Sequence, residues 1–165
     1  MKETLRHSVG AAGRSPRTCP DETLHFTDCT VSPPKKYTLP PGVTISMTTY
    51  QTITNPAIYP DPYAFNPDRW LTRDADQLAR LDRYLTVFSG GARACLGMWL
   101  AQAEITLTLA KLWRVWGAQG DRRAGDVGAM KLFGTTARDV RMAADYFIPI
   151  PWRGTKGVRV LLESF

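Results

Sequence analysis

The ten residues from Phe88 to Gly97, FSGGARACLG, hold three glycines, one arginine and a lone cysteine directly ahead of a long apolar run. A chain that stops there and starts a helix leaves unpaired backbone N–H groups and the positive end of the helix dipole close to the sulfur of Cys95, a setting that favours an anion. Gly90, Gly91 and Gly97 reach backbone conformations closed to other residues and let the main chain approach a flat or bulky group. Arg93 offers a fork matched to a carboxylate, and Phe88 an apolar face. Together these types suit an anionic, planar, metal-bearing ligand.

Other reactive residues lack such a setting. Cys19 and Cys29 form no CxxC pair with each other or with Cys95, so three cysteines make neither a disulfide framework nor a zinc cage. His7 and His25 lack the spacing of metal ligands and read as surface or packing residues. Glu3 and Arg6, in ETLR, share one face of a helix, which alone would describe a solvated ion pair.

The elements that must position these residues can be outlined from pattern. Residues 1–9 read as the end of a helix, broken by Gly10, Gly13 and Pro16. The stretch 17–50 reads as a small sheet region, with the β-prone runs LHFTDCTV and VTISMTTY separated by prolines. Residues 55–71, which include NPAIYPDPYAFNPDRW, carry too many prolines for regular structure and enough aromatics to anchor a meander. From Met98 to Trp116 there is neither proline nor glycine, and the apolar content predicts a mostly buried helix with Trp99, Trp113 and Trp116 in the core and Gly117 and Gly120 ending it. Short strands and turns fill 127–165, with AMKLF and GVRVLLE as β-prone runs.

Composition sets the outer limits. With 165 residues, 44% of them apolar, the chain has the makeup of a globular domain or part of one. No stretch reaches the ~20 consecutive apolar residues of a membrane span, and MKETLRHSVG has no signal-peptide core. The net charge of +6 allows an acidic partner, yet the arginines are scattered and form no stripe interleaved with aromatics, which argues against nucleic acid.

Phe88, Gly91, Arg93, Cys95 and Gly97 match every fixed position of F-x-x-G-x-R-x-C-x-G, so the chain resembles the cytochrome P-450 family of haem-thiolate monooxygenases, in a fungal-type microsomal form. Two weaker motifs follow in the family's order. ETLR looks like its E-x-x-R pair, and FNPDRW resembles the loop whose arginine joins that pair, with Arg69 in the arginine's place and Asp68 where many relatives carry glutamate. The segment GRSPRTCP resembles the strand that supplies an arginine to a haem propionate; Arg17 is the candidate and Arg14 its close competitor.

The resemblance implies an α+β fold, mainly α with small sheets, corresponding to the C-terminal, proximal part of the family's fold and incomplete without the rest. It implies haem b as cofactor, Cys95 as the axial iron ligand, Arg93 on a propionate, and a Glu3, Arg6, Arg69 cluster as a structural lock. It further implies an NADPH-dependent flavoprotein reductase attracted by arginines such as Arg73, Arg80, Arg83 and Arg114, a small lipophilic substrate, and a place on the cytosolic face of the endoplasmic reticulum for a full-length relative. The loops 9–20 and 145–151 would lie toward substrate. A full-length relative is about three times longer, and its acid-and-threonine helix, which delivers protons to oxygen, has no counterpart here. The resemblance therefore gives no catalytic residue in this chain and leaves apolar patches uncovered, with a non-catalytic haem-binding or inert product as the alternative.

Overall fold

The computed structural model describes residues 1–118, 120 and 123–165. Helix α1 (Lys2–Ser8) carries Glu3 in its first turn and ends at Val9, whose left-handed backbone (φ 40°) turns the chain out of the helix. Strand β1 (Arg14–Thr18) then pairs antiparallel with β4 (Thr44–Thr48), and between them β2 (Leu24–Asp28) and β3 (Lys35–Leu39) make a hairpin. The first strand thus starts at Arg14, ahead of the expected sheet region, and helix α2 (Thr49–Ile53) occupies its end, capped by the Thr48 hydroxyl accepting from the Gln51 N–H.

The meander is irregular apart from a 3-10 turn, Pro67–Trp70. Asn66 caps it by accepting from the Asp68 N–H, and Pro67 at its first position gives up no hydrogen bond. Helix α3 (Ala75–Tyr84) follows, with the Asp74 carboxylate accepting from the N–H groups of Asp76 and Gln77. Two short 3-10 turns, Thr86–Phe88 and Gly91–Arg93, lead through the cysteine loop into α4 (Met98–Val115). Strand β5 (Trp116–Ala118) runs parallel to β6 (Gly128–Leu132), which pairs antiparallel with β9 (Val160–Ser164). Helix α5 (Ala137–Val140) precedes the hairpin of β7 (Met142–Tyr146) and β8 (Ile148–Pro151).

Two features of α4 differ from the expectation. It is not buried: Trp99 is 73% exposed, Leu100 64%, Leu107 60% and Trp113 42%. Apolar residues occur all round its cylinder, whereas the only half-shielded stripe in its first three turns is Met98, Ala101, Gln102, Ile105 and Leu109. Trp99 and Trp113 are therefore surface residues, and Trp116 is half-shielded at the start of β5. The helix also ends before Gly117, which lies in β5 rather than at a helix cap.

The core is small and lies at the other end of the chain. Val9, Ala12 and Ile53 form its centre, with Tyr50, Val87 and Met142 packed against it. Leu5, Tyr59 and Leu81 are buried as well.

Candidate functional site

Three of the sequence-predicted residues meet in a buried charge cluster. Helix α1 turns Glu3 and Arg6 inward, each 1% exposed. The Arg6 Nη2 lies 2.7 Å from Glu3 Oε1 and its Nε 3.0 Å from Oε2, a two-pronged pairing. From the 3-10 turn, Arg69 Nε reaches Oε1 at 3.3 Å. The same turn adds two donors to which the sequence reading gave no role, the Asn66 backbone N–H to Oε1 at 3.0 Å and the Trp70 indole N–H to Oε2 at 2.9 Å. Burial alone would raise the Glu3 pKa, but the hydrogen bonds from Arg6, Asn66 and Trp70 and the Arg6 charge outweigh it and bring the pKa down to about 2.

Arg6 then ties the helix to the meander. Its Nη1 donates to the carbonyls of Ile53 at 3.0 Å and Pro62 at 2.7 Å, and its Nη2 to Ala64 at 3.2 Å. Arg69 Nη1 donates to Pro60 at 3.1 Å, while Arg69 Nη2 is buried with no partner among the described residues. Tyr59 lies beneath the Arg6 guanidinium at 5.2 Å and donates its hydroxyl to the Leu81 carbonyl at 2.8 Å, linking the cluster to α3. His7, read from sequence as a surface or packing residue, has its Nε2 2.6 Å from Arg6 Nη2 and 3.5 Å from Glu3 Oε1.

The cysteine loop is built differently, closed by its own backbone and open on its side-chain face. The Cys95 N–H donates to the Phe88 carbonyl at 2.8 Å, Ala94 to Gly91 at 3.1 Å, and Met98 to Cys95 at 3.3 Å, so the sulfur sits in the turn that starts α4. Cys95 is an exposed free thiol. Gly91 has φ +68°, which only glycine adopts without strain, and a side chain at Gly90 or Gly91 would meet nothing within 4 Å. At Gly97 a Cβ would lie 3.9 Å from the Cys95 sulfur, in ordinary contact with it. Arg93 is exposed and makes no hydrogen bond or ion pair within the described residues. Phe88 is half-buried in the turn packed against α2, where Thr49 donates to the Thr86 carbonyl at 3.4 Å.

Of the two competing arginines, Arg17 is the one that reaches this loop. Its Nη2 donates to the Ser89 hydroxyl at 3.2 Å, whereas Arg14 pairs across from Thr48 at the other end of β1. The charge cluster and the loop are connected through α2: Arg6 holds the Ile53 carbonyl, α2 packs on the turn Thr86–Phe88, and Phe88 holds Cys95. The two loops expected toward substrate also meet, with the N–H groups of Ala12 and Gly13 donating to the Phe147 carbonyl at 3.0 and 3.4 Å.

The loop fits a haem. Its thiol is soft and uncovered, small residues flank it, and Arg93 and Arg17 are cations of the kind that suit the group's two carboxylates. A separate open cavity of about 870 Å³ is lined by His7, Tyr50, Phe65, Val140 and neighbours but by no residue of the cysteine loop. No group of three or more His, Cys, Asp or Glu able to hold a metal ion exists among the described residues, and none of the described helices is long and apolar enough to cross a membrane.

The chain is similar to known proteins. The family model Cytochrome P450 matches residues 1–116. Cytochrome P450 monooxygenase tpcC of Cochliobolus heterostrophus is 41% identical over 160 residues, which are 97% of this chain and 29% of the relative. Cytochrome P450 monooxygenase astB of Talaromyces wortmannii is 35% identical, with 97% of this chain and 32% of the relative covered. N-acetyltryptophan 6-hydroxylase ivoC of Emericella nidulans is 34% identical, with 99% and 28% covered. Among solved structures, the retinoic acid-bound cyanobacterial CYP120A1 superposes with a TM-score of 0.67 at 23% identity, over 99% of this chain and 32% of that one. The chain spans about three-tenths of the length of the relatives it matches.

Proposed function

The chain belongs to the cytochrome P450 family, and from that premise we propose that it is the haem-binding, proximal part of a haem-thiolate monooxygenase. The observation that carries the reading is the exposed Cys95 thiol held in a backbone-closed, glycine-flanked turn at the start of α4. Cys95 would be the axial ligand of haem b, and Arg93 and Arg17 would face its propionates. Phe88, Gly91 and Gly97 shape the turn. When bound, a thiolate-ligated haem supplies the oxidising chemistry that places one atom of O2 into an organic molecule.

The residues of this chain supply position and charge. Backbone N–H groups at the start of α4, next to the cysteine in the chain, would tune its sulfur. Glu3, Arg6 and Arg69 form a structural lock that holds α2, and through it the turn carrying Phe88. The joined segments at Gly13 and Phe147 are the substrate-facing part, and the exposed Phe147 ring favours a small lipophilic compound. Electrons would come from an NADPH-dependent flavoprotein reductase docking against a basic face, at the cytosolic side of the endoplasmic reticulum. Oxygen activation also needs a controlled supply of protons, and no residue of these 165 is assigned to that task, so the role proposed for them is haem binding and not turnover.

The test is spectroscopic. With haemin added to the full chain and reduced under carbon monoxide, the unmodified protein is expected to give a thiolate-type Soret band. Cys95→Ala abolishes that band, and Cys19→Ala and Cys29→Ala leave it in place. An unaltered Cys95→Ala spectrum overturns the assignment.

A further inference from the structure

Glu3 is a buried carboxylate with about four acceptor positions, two on each oxygen. Oε1 is crowded by Arg6 Nη2, the Asn66 N–H and Arg69 Nε at 2.7, 3.0 and 3.3 Å. Oε2 has two donors, Arg6 Nε at 3.0 Å and the Trp70 indole N–H at 2.9 Å. Without the indole, one buried position of Oε2 is empty, and a phenylalanine, which carries no donor, could not fill it. We propose that Trp70 is a positioning residue whose indole N–H completes the solvation of the buried Glu3 carboxylate and so fastens the meander to helix α1.

The surroundings favour that role over plain packing. Trp70 is only half-buried and tilts against Tyr59 with ring centroids 6.2 Å apart. Lys2 lies 5.4 Å over its ring and is itself paired to Asp82 at 2.6 Å. The charged and titratable groups that face Glu3 are Arg6 and His7 from its own helix, Arg69 from the 3-10 turn, and Tyr59, whose phenol burial pushes up to about 12. Phe in place of Trp70 keeps a ring face for Lys2 and for Tyr59. The substitution removes the donor together with part of the ring, and only the donor's share of the loss depends on the charge of Glu3.

The test compares unfolding of the full chain and Trp70→Phe below pH 5, beneath the ordinary titration range of histidine. At pH 5 the folded-to-unfolded ratio should fall about tenfold, the size expected for a lost hydrogen bond to a charged group. The loss should shrink as the pH approaches 2, because a protonated Glu3 no longer rewards the extra donor. An equal loss at every pH would mean a packing role and overturn the proposal. A second measurement needs no variant: the Trp70 indole proton should exchange about 100-fold more slowly than that of Trp99, which is 73% exposed. Equal exchange rates also overturn it. Neither readout involves haem, so their failure is separable from failure of the Cys95 assignment.

Discussion

A carboxylate that is 1% exposed is tolerated only when its lost hydration is replaced, and for Glu3 the largest single share comes from one guanidinium, which supplies two of its five donors. Arg6 spends its planar fork on both carboxylate oxygens and on the carbonyls of Ile53, Pro62 and Ala64. A lysine has the charge but neither the fork nor the reach to several acceptors at once. Arg6→Lys should therefore destabilise the chain by about 3 kcal/mol, measured by denaturant unfolding; near-native stability would show that charge alone suffices. The pH dependence has a definite sign. The folded pKa of Glu3 is lowered from 4.5 to about 2, so its contribution is complete above pH 4.5 and is lost as the pH falls toward 2. Stability should decline through that window, and a flat profile there would contradict the cluster. The Glu3, Arg6 and Arg69 set was legible because two short sequence motifs, ETLR and FNPDRW, carry its side chains. Asn66 contributes a backbone N–H and Trp70 an indole, and neither is visible until the 3-10 turn fixes their direction.

Elements show a sharper division between what pattern reveals and what it hides. The extent of α4 could be read almost to the residue from an uninterrupted run without proline or glycine, because that depends on local chain preference. Its exposure could not, since an apolar composition describes what a helix can bury and not what is present to cover it. Helix α3 has little apolar pattern to show it, although Asp74 caps it, because only Leu81 of its ten residues is buried. The cysteine loop carries a further signal in Ser89, whose φ of 61° and ψ of −162° lie in a region essentially reserved for glycine. Ser89→Gly should relieve about 1 kcal/mol of backbone strain while giving up the weaker Arg17 contact. Gly91, at φ +68°, should respond in the opposite direction, with Gly91→Ala costing about 1 kcal/mol. Thermal unfolding of the two variants checks both, and like-signed shifts would refute the strain argument.

Across the whole molecule the limiting quantity is surface. A compact monomer of 18.4 kDa is expected to expose about 8,200 Å² by the size scaling of folded proteins. This chain exposes 12372 Å², a surplus of roughly half. Much of the excess is apolar: Trp99, Leu100 and Leu107 on α4, Phe147 and Ile148 at the last hairpin, and Leu161 and Leu162 on β9 are all at least 40% exposed. Apolar area on this scale drives association unless something covers it. The chain by itself should therefore bind a hydrophobic dye strongly and sediment as concentration-dependent oligomers. Replacing Trp99 and Leu107 with glutamine should lower dye binding without shifting the Cys95 spectrum, because neither side chain belongs to the loop and neither is buried. A monodisperse monomer that leaves the dye dark would show that the exposed face of α4 is not adhesive, and the surplus surface would then need a different explanation from uncovered core.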